Sequence, residues 1–146
     1  MGYEQIFMQK AFEIANKSEV DVPVGAVLVF EGKILAQNCN QREKNKSPIS
    51  HAEVLVIEEG SRKLDNWRLE ECDLYVTLEP CPMCASLILQ TRIKNIYFGA
   101  YDNKYGALGS VLDMRDFYSY KTNVRGGFME QECTNLLKNF FENKRG

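Results

Sequence analysis

Cys81 and Cys84, separated by Pro82 and Met83, can grip one tetrahedral ion as a thiolate pair, and His51, the only histidine in the chain, can supply a third ligand. Three protein ligands leave one corner open, and zinc held this way lowers the pKa of a water in that corner to roughly 7 to 9. Two thiolates and a neutral imidazole cancel the ion's formal charge, so it acidifies its water less than an all-histidine site would. A carboxylate must then carry the protons. Glu53, two residues after His51, is the candidate, because a general base has to lie within hydrogen-bond reach of the water it deprotonates. It reads as a proton shuttle, not as a ligand.

The elements that must position these groups are legible around them. Asp73 to Leu78 alternates and is rich in β-formers, so it reads as a strand; Pro80 and Pro82 end it and open a helix running to about Thr91. Both cysteines then sit at a helix start, where unpaired N–H groups and the positive end of the dipole favour the thiolate. Ser50 is a good N-cap and Ala52 to Lys63 has helical spacing, so a second helix N-terminus is expected to converge on the same ion.

Other uses of the same residues stay open at this point. An isolated Cys-x-x-Cys also serves redox dithiols, although that use gives the histidine no task. A closed structural zinc site would need a fourth ligand from Cys39 or Cys72. Ser50-His51-Ala52-Glu53 also matches the capping box, in which Glu53 would only satisfy a backbone N–H.

The rest of the chain reads as alternating helices and strands. Residues 3 to 17 place Met8, Ala11, Phe12 and Ala15 on one stripe, an amphipathic helix. Val24 to Phe30, Glu31-Gly32 and Lys33 to Ala36 form a hairpin whose first strand, apolar on both faces, is expected inside the sheet. Cys39 to Ser50 is a polar, solvated loop, and Trp67 in the connector after the His51 helix is expected to pack on an apolar face. Ile93 to Gly99 is a strand, Ala100 to Ser110 a loop beyond its carboxyl end, Asn123 to Arg125 a short last strand and Glu130 to Lys144 a final helix. This alternation argues for an α/β layered sheet with the metal site on one edge.

Bulk properties bound the reading. A chain of 146 residues is one domain, long enough to bury roughly 70% of its unfolded surface. No basic segment followed by an apolar run opens the chain, and Val24 to Phe30 is far short of the roughly 20 residues that span a bilayer, so a soluble cytoplasmic protein is expected. Five cysteines, an odd count, suit a reducing compartment better than a disulfide framework. A net charge of −2 gives no bulk electrostatic case for nucleic acid, so any such case must be local.

His51-Ala52-Glu53 followed by Pro80-Cys81-Pro82-Met83-Cys84 resembles the zinc-dependent nucleobase deaminases, whose pattern is His-x-Glu followed by Pro-Cys-x-x-Cys. The likeness extends over nearly the whole chain and is greatest to the bacterial tRNA adenosine deaminases. It is carried by Val22 to Val27, Asn40, Asn66 to Leu69, Thr77 to Cys84, Phe98 to Ala100 and the run Asp102, Lys104, Gly106, Ala107, Gly109, Ser110. The resemblance implies a three-layer α/β/α cytidine deaminase-like fold around a mixed sheet of about five strands. It implies Zn2+ on His51, Cys81 and Cys84, a shuttle at Glu53, and substrate contacts from Asn40, Ala52, Pro80 and Asp102. It further implies a homodimer that takes a tRNA anticodon stem-loop and converts the wobble adenosine to inosine. Deamination of a free base or nucleotide, and a zinc-stabilised binding module, are the alternatives. Tyr101 and Tyr105 depart from that branch, standing where a basic and a small polar residue are common.

Overall fold

In the computed structural model, which describes residues 2–145, the hairpin at Glu31-Gly32 joins β1 (Gly25–Phe30) to β2 (Lys33–Cys39) in antiparallel register. Glu31 and Gly32 both take positive φ, 50° and 76°, the mirror-image turn whose twist matches that of the strands. β1 also pairs antiparallel with β3 (Cys72–Leu78), and β4 (Asn95–Ala100) and β5 (Asn123–Arg125) add parallel strands beyond it. The five-stranded order is β2-β1-β3-β4-β5.

Strand residues point alternately to two helical layers. Ala26, Leu28, Leu74, Val76, Ile96 and Phe98 pack with Val56, Ile57 and Ile88, from α3 (Ala52–Leu64) and α4 (Pro82–Gln90). Val27, Val29, Tyr75 and Tyr97 pack with Phe7, Met8, Ala11 and Ile14 of α1 (Gln5–Ala15). On that second face α5 (Glu130–Arg145) covers β4 so closely that a Cβ at Gly99 would meet Cys133 Sγ at 2.6 Å. Gly25 is required for the same reason: a Cβ there would stand 2.1 Å from the Ala11 carbonyl oxygen. The result is the expected α/β/α sandwich.

β2 and β3 flank β1 antiparallel and so run the same way, and β4 is parallel to β3; the carboxyl ends of all three therefore open on one edge. Asn40 follows β2, Glu79 to Cys81 follow β3, and Tyr101-Asp102 follow β4. Ligands gather beyond such ends in open α/β sheets.

One expectation fails and a second is refined. Trp67 packs on no apolar face; it is 58% exposed, with the Arg68 guanidinium 5.1 Å from its ring centre. The segment 39–50 is not a plain solvated loop, because it contains a short helix, α2 (Arg42–Asn45), pinned from outside. Asp21, nearly buried, accepts from the N–H groups of Glu43 at 2.9 Å and Lys44 at 3.3 Å, so a distant carboxylate caps a helix too short to stand alone.

Candidate active site

Helices α3 and α4 bring their N-termini together, each starting on a residue with extended backbone, His51 (φ −74°, ψ 151°) and Cys81 (φ −73°, ψ 173°). Pro82 follows Cys81 at the first helical position, where its missing N–H costs nothing and its fixed φ is already helical. His51 Nδ1 lies 3.5 Å from Cys84 Sγ and 3.8 Å from Cys81 Sγ. Ligand atoms at about 2.1 and 2.3 Å from one tetrahedral ion would be about 3.6 Å apart, so both nitrogen-to-sulfur separations match a shared zinc. All three ligand atoms lie within 4.8 Å of one another, and among the described residues this is the only such group. Cys39 and Cys72 lie outside it, which removes the closed four-ligand reading.

The three donors are also coupled to one another electrostatically. Hydrogen bonding from Cys84 holds Cys81 down at about 4 against the opposing effect of burial, and the same bond together with burial pushes the Cys84 thiol up. The His51 imidazole is raised by its bond to Cys81, with burial opposing. Glu53 is 4% exposed, and burial raises its carboxyl to about 7, with its own backbone N–H and His51 pulling the other way. A carboxyl that titrates near neutrality beside a metal-binding cluster is suited to taking and giving protons.

Ser50 is not the N-cap of α3; His51 occupies that position and offers no side-chain cap. The first helical N–H, of Ala52, donates to Asn40 Oδ1 at 2.8 Å. Glu53 reaches inward and not back to the Ser50 N–H, which donates to the Ser47 carbonyl at 3.3 Å, so there is no capping box. Asn40 thus fixes the helix that carries His51 and Glu53, with Nδ2 as its remaining donor.

A cleft of about 860 Å³ opens over the cluster, lined by His51, Glu53, Cys81, Asn40, Arg42 and Asp102, with Tyr101, Lys104 and Tyr105 on one rim and Leu137, Phe140 and Phe141 of α5 on another. That volume suits a nucleoside-sized ligand. Asp102 Oδ1 accepts from the N–H groups of Lys104 at 2.9 Å and Tyr105 at 3.0 Å, so it shapes its own turn as well as facing the cleft. Ala52 and Pro80 adjoin residues that line the cleft, and a backbone group of each is bonded within the protein. The Ala52 N–H is engaged by Asn40, and the Pro80 carbonyl accepts from the Ala107 N–H at 2.9 Å.

The sequence reading missed Asp21 and Glu79. Asp21 carries no local signal, whereas Glu79 stands inside the Thr77-to-Cys84 motif, and that position is its only signal in the sequence.

Residues 1–100 match the model of the cytidine and deoxycytidylate deaminase zinc-binding region. The chain is 41% identical to the tRNA-specific adenosine deaminase of Bacillus subtilis (strain 168), over 99% of this chain and 92% of that protein. It is 39% identical to the one of Haemophilus influenzae, over 98% and 86%. This chain belongs to the tRNA-specific adenosine deaminase family. As a deaminase of this family it is a zinc enzyme, and the donors that fit the ion are the three described above. A solved tRNA:A34 deaminase superposes with a TM-score of 0.85 at 36% identity, covering 91% of this chain and 99% of that one. A guanine deaminase from Nitrosomonas europaea superposes at 0.78 with 20% identity, covering 96% and 85%, a likeness of fold alone.

Proposed function

We propose that this deaminase converts adenosine at the wobble position of tRNA to inosine, with His51, Cys81 and Cys84 as zinc ligands and Glu53 as the proton shuttle. The observation that carries the chemistry is the buried Glu53 carboxyl in the same cleft as His51 and Cys81. Zinc held by His51, Cys81 and Cys84 would supply a water of lowered pKa. Glu53 would take a proton from the water that adds to C6 of the adenine. Glu53 then delivers protons to the ring nitrogen and to the departing amine, so that water and adenosine become inosine and ammonia. Asn40 Nδ2 and the Asp102 carboxylate face the nucleoside, and an acceptor beside the ribose would favour RNA.

The decisive assay offers an anticodon stem-loop with adenosine at the wobble position beside free adenine, guanine, cytosine and their nucleosides. Inosine in the stem-loop is expected, and deamination confined to a free base would overturn the assignment.

Tyr101 and Tyr105 remain about half exposed at the mouth, Tyr101 standing edge-on to Phe98 at 5.1 Å and Lys104 lying over the Tyr105 ring at 5.3 Å. Rigid exposed rings at the cleft rim can stack on splayed bases in place of the expected charge, at about 1–3 kcal/mol per base. Tyr101→Ala should therefore weaken stem-loop binding by roughly tenfold; unchanged affinity in a titration would remove the stacking role.

A homodimer built on α4 is the proposed assembly. Met83 and Leu87 of that helix, with Phe117 of the 3-10 turn Met114–Phe117 packed on it, stay partly or largely exposed, Phe117 by 74%. Phe117→Asp should shift sedimentation from dimer to monomer at micromolar concentration; a wild-type chain that sediments as a monomer would exclude the dimer. The cytoplasm is the proposed location: the substrate is tRNA, the cysteines of the described residues are all unpaired, and no described helix is long and apolar enough to cross a membrane.

A further inference from the structure

Glu79 lies between β3 and α4, two residues before Cys81, and the mechanism above gives it nothing to do. It is 2% exposed, and among the described residues no basic side chain pairs with it. Its charge is met by four donors. Oε1 accepts from the Asp102 N–H at 3.1 Å and from Ser110 Oγ at 2.5 Å, while Oε2 accepts from the N–H groups of Leu108 and Ser110, both at 3.1 Å. A buried carboxylate is tolerated only when its acceptor sites are filled in this way.

All four donors belong to one loop, residues 102–110, which folds around the carboxylate. Two backbone bonds close the seam: the Glu79 N–H donates to the Ala100 carbonyl and the Ala107 N–H to the Pro80 carbonyl, each at 2.9 Å. Gly106 is packed on the carboxyl group so tightly that a Cβ would stand 2.6 Å from Glu79 Cδ. The same loop presents Asp102, Lys104 and Tyr105 to the cleft, which Glu79 and Cys81 also line.

We propose that Glu79 is a positioning residue, a buried clamp that locks the 102–110 loop at a fixed place relative to the metal-binding end of α4 and so prepays the ordering of the RNA-facing wall. The role rests on the tRNA reading above. An unclamped loop would have to be ordered as the stem-loop docks, and that cost appears as lost affinity, not as slower chemistry.

Two variants test it. Glu79→Gln turns an amide NH2 toward N–H donors and so breaks one side of the clamp, whereas Ser110→Ala removes one bond from the exposed side and leaves the fold intact. Zinc content, stem-loop Kd, single-turnover rate and amide exchange of residues 102–110 in the free protein are measured for each. Glu79→Gln should keep its zinc, exchange faster in this loop, and bind the stem-loop about tenfold more weakly with a rate within about threefold of the parent. Ser110→Ala should move the same two readouts in the same direction by about threefold, and it decides the matter alone if Glu79→Gln does not fold. Faster exchange with unchanged Kd would make Glu79 a purely structural carboxylate, and joint loss of zinc and rate would place it in the metal site; either overturns the clamp. Exchange and Kd need no turnover, so a wild-type chain that makes no inosine sinks the substrate assignment separately.

Discussion

Glu53→Gln is expected to retain one zinc per chain and its fold while losing on the order of a thousandfold in kcat, within the range of about 10²–10⁴ that a positioned acid-base group contributes. The amide fills the same space but cannot carry a proton. A second signature follows from burial. The Glu53 carboxyl is raised to about 7 in the fold, above an unfolded value of roughly 4.3. A raised carboxyl contributes stability that is complete below the unfolded pKa and is lost as pH rises through the folded one. In chelated protein, Glu53→Gln should therefore be the more stable of the two at pH 8, and that advantage should vanish toward pH 4. If Glu53 were only a cap, the variant would stay active and lose about 1 kcal/mol at every pH. Inosine release, metal analysis and denaturant titration at the two pH values separate these outcomes.

Removal of a ligand should have the other large effect. Cys84 is fully buried, with its sulfur 3.5 Å from His51 Nδ1, so Cys84→Ser leaves a hard hydroxyl where the ion expects a thiolate. Zinc content should fall from one per chain to a small fraction, with activity lost in proportion. Because an ion that binds only the folded chain stabilises it by about 4 kcal/mol at a thousandfold excess over Kd, stability should fall with it. For a domain of this size that is a drop of roughly 8–16 °C in Tm. Chelation of the parent chain should reproduce the shift and added zinc should reverse it, whereas Cys84→Ser should not recover. A calorimetric scan with and without chelator measures both. Equal melting of the two chains in zinc would remove Cys84 from the ligand set.

What could be read from the sequence was whatever is local in it. His51, Glu53, Cys81 and Cys84 were legible because each pair shares a helix start and the two pairs together match the deaminase pattern; that the two starts meet is a property of the fold. The strands were legible because Val24 to Phe30 and Asp73 to Leu78 alternate or run apolar without a break. What sequence spacing could not show is where a backbone N–H finds its acceptor when that acceptor is far along the chain. Ser50 looks like the cap of α3, yet Asn40, twelve residues before Ala52, is the side chain that bonds the first helical N–H. Asp21 caps α2 across 22 residues and Glu79 holds Ser110 across 31. Each of these is a short polar residue with an ordinary local alternative, and only the folded sheet edge brings donor and acceptor together. Trp67 was misjudged for a related reason: it lies in the turn after α3, where the chain runs along the surface and the ring meets Arg68 instead of the core.

The two parts of the proposed site are built by different means. Two helix N-termini carry His51, Cys81 and Cys84, while Asp102, Lys104 and Tyr105 stand on a loop bonded to one buried carboxylate. On the proposed reading, changes at Tyr101 or Tyr105 would act on RNA affinity before they act on the chemistry.

X-ray absorption at the zinc edge of the purified, fully loaded chain reads the ligand set itself. The account predicts one zinc per chain with two sulfurs at about 2.3 Å and two nitrogen or oxygen atoms at about 2.0–2.1 Å, one from His51 and one from water, unchanged in Glu53→Gln. A shell with three or four sulfurs, or one altered by Glu53→Gln, would contradict it.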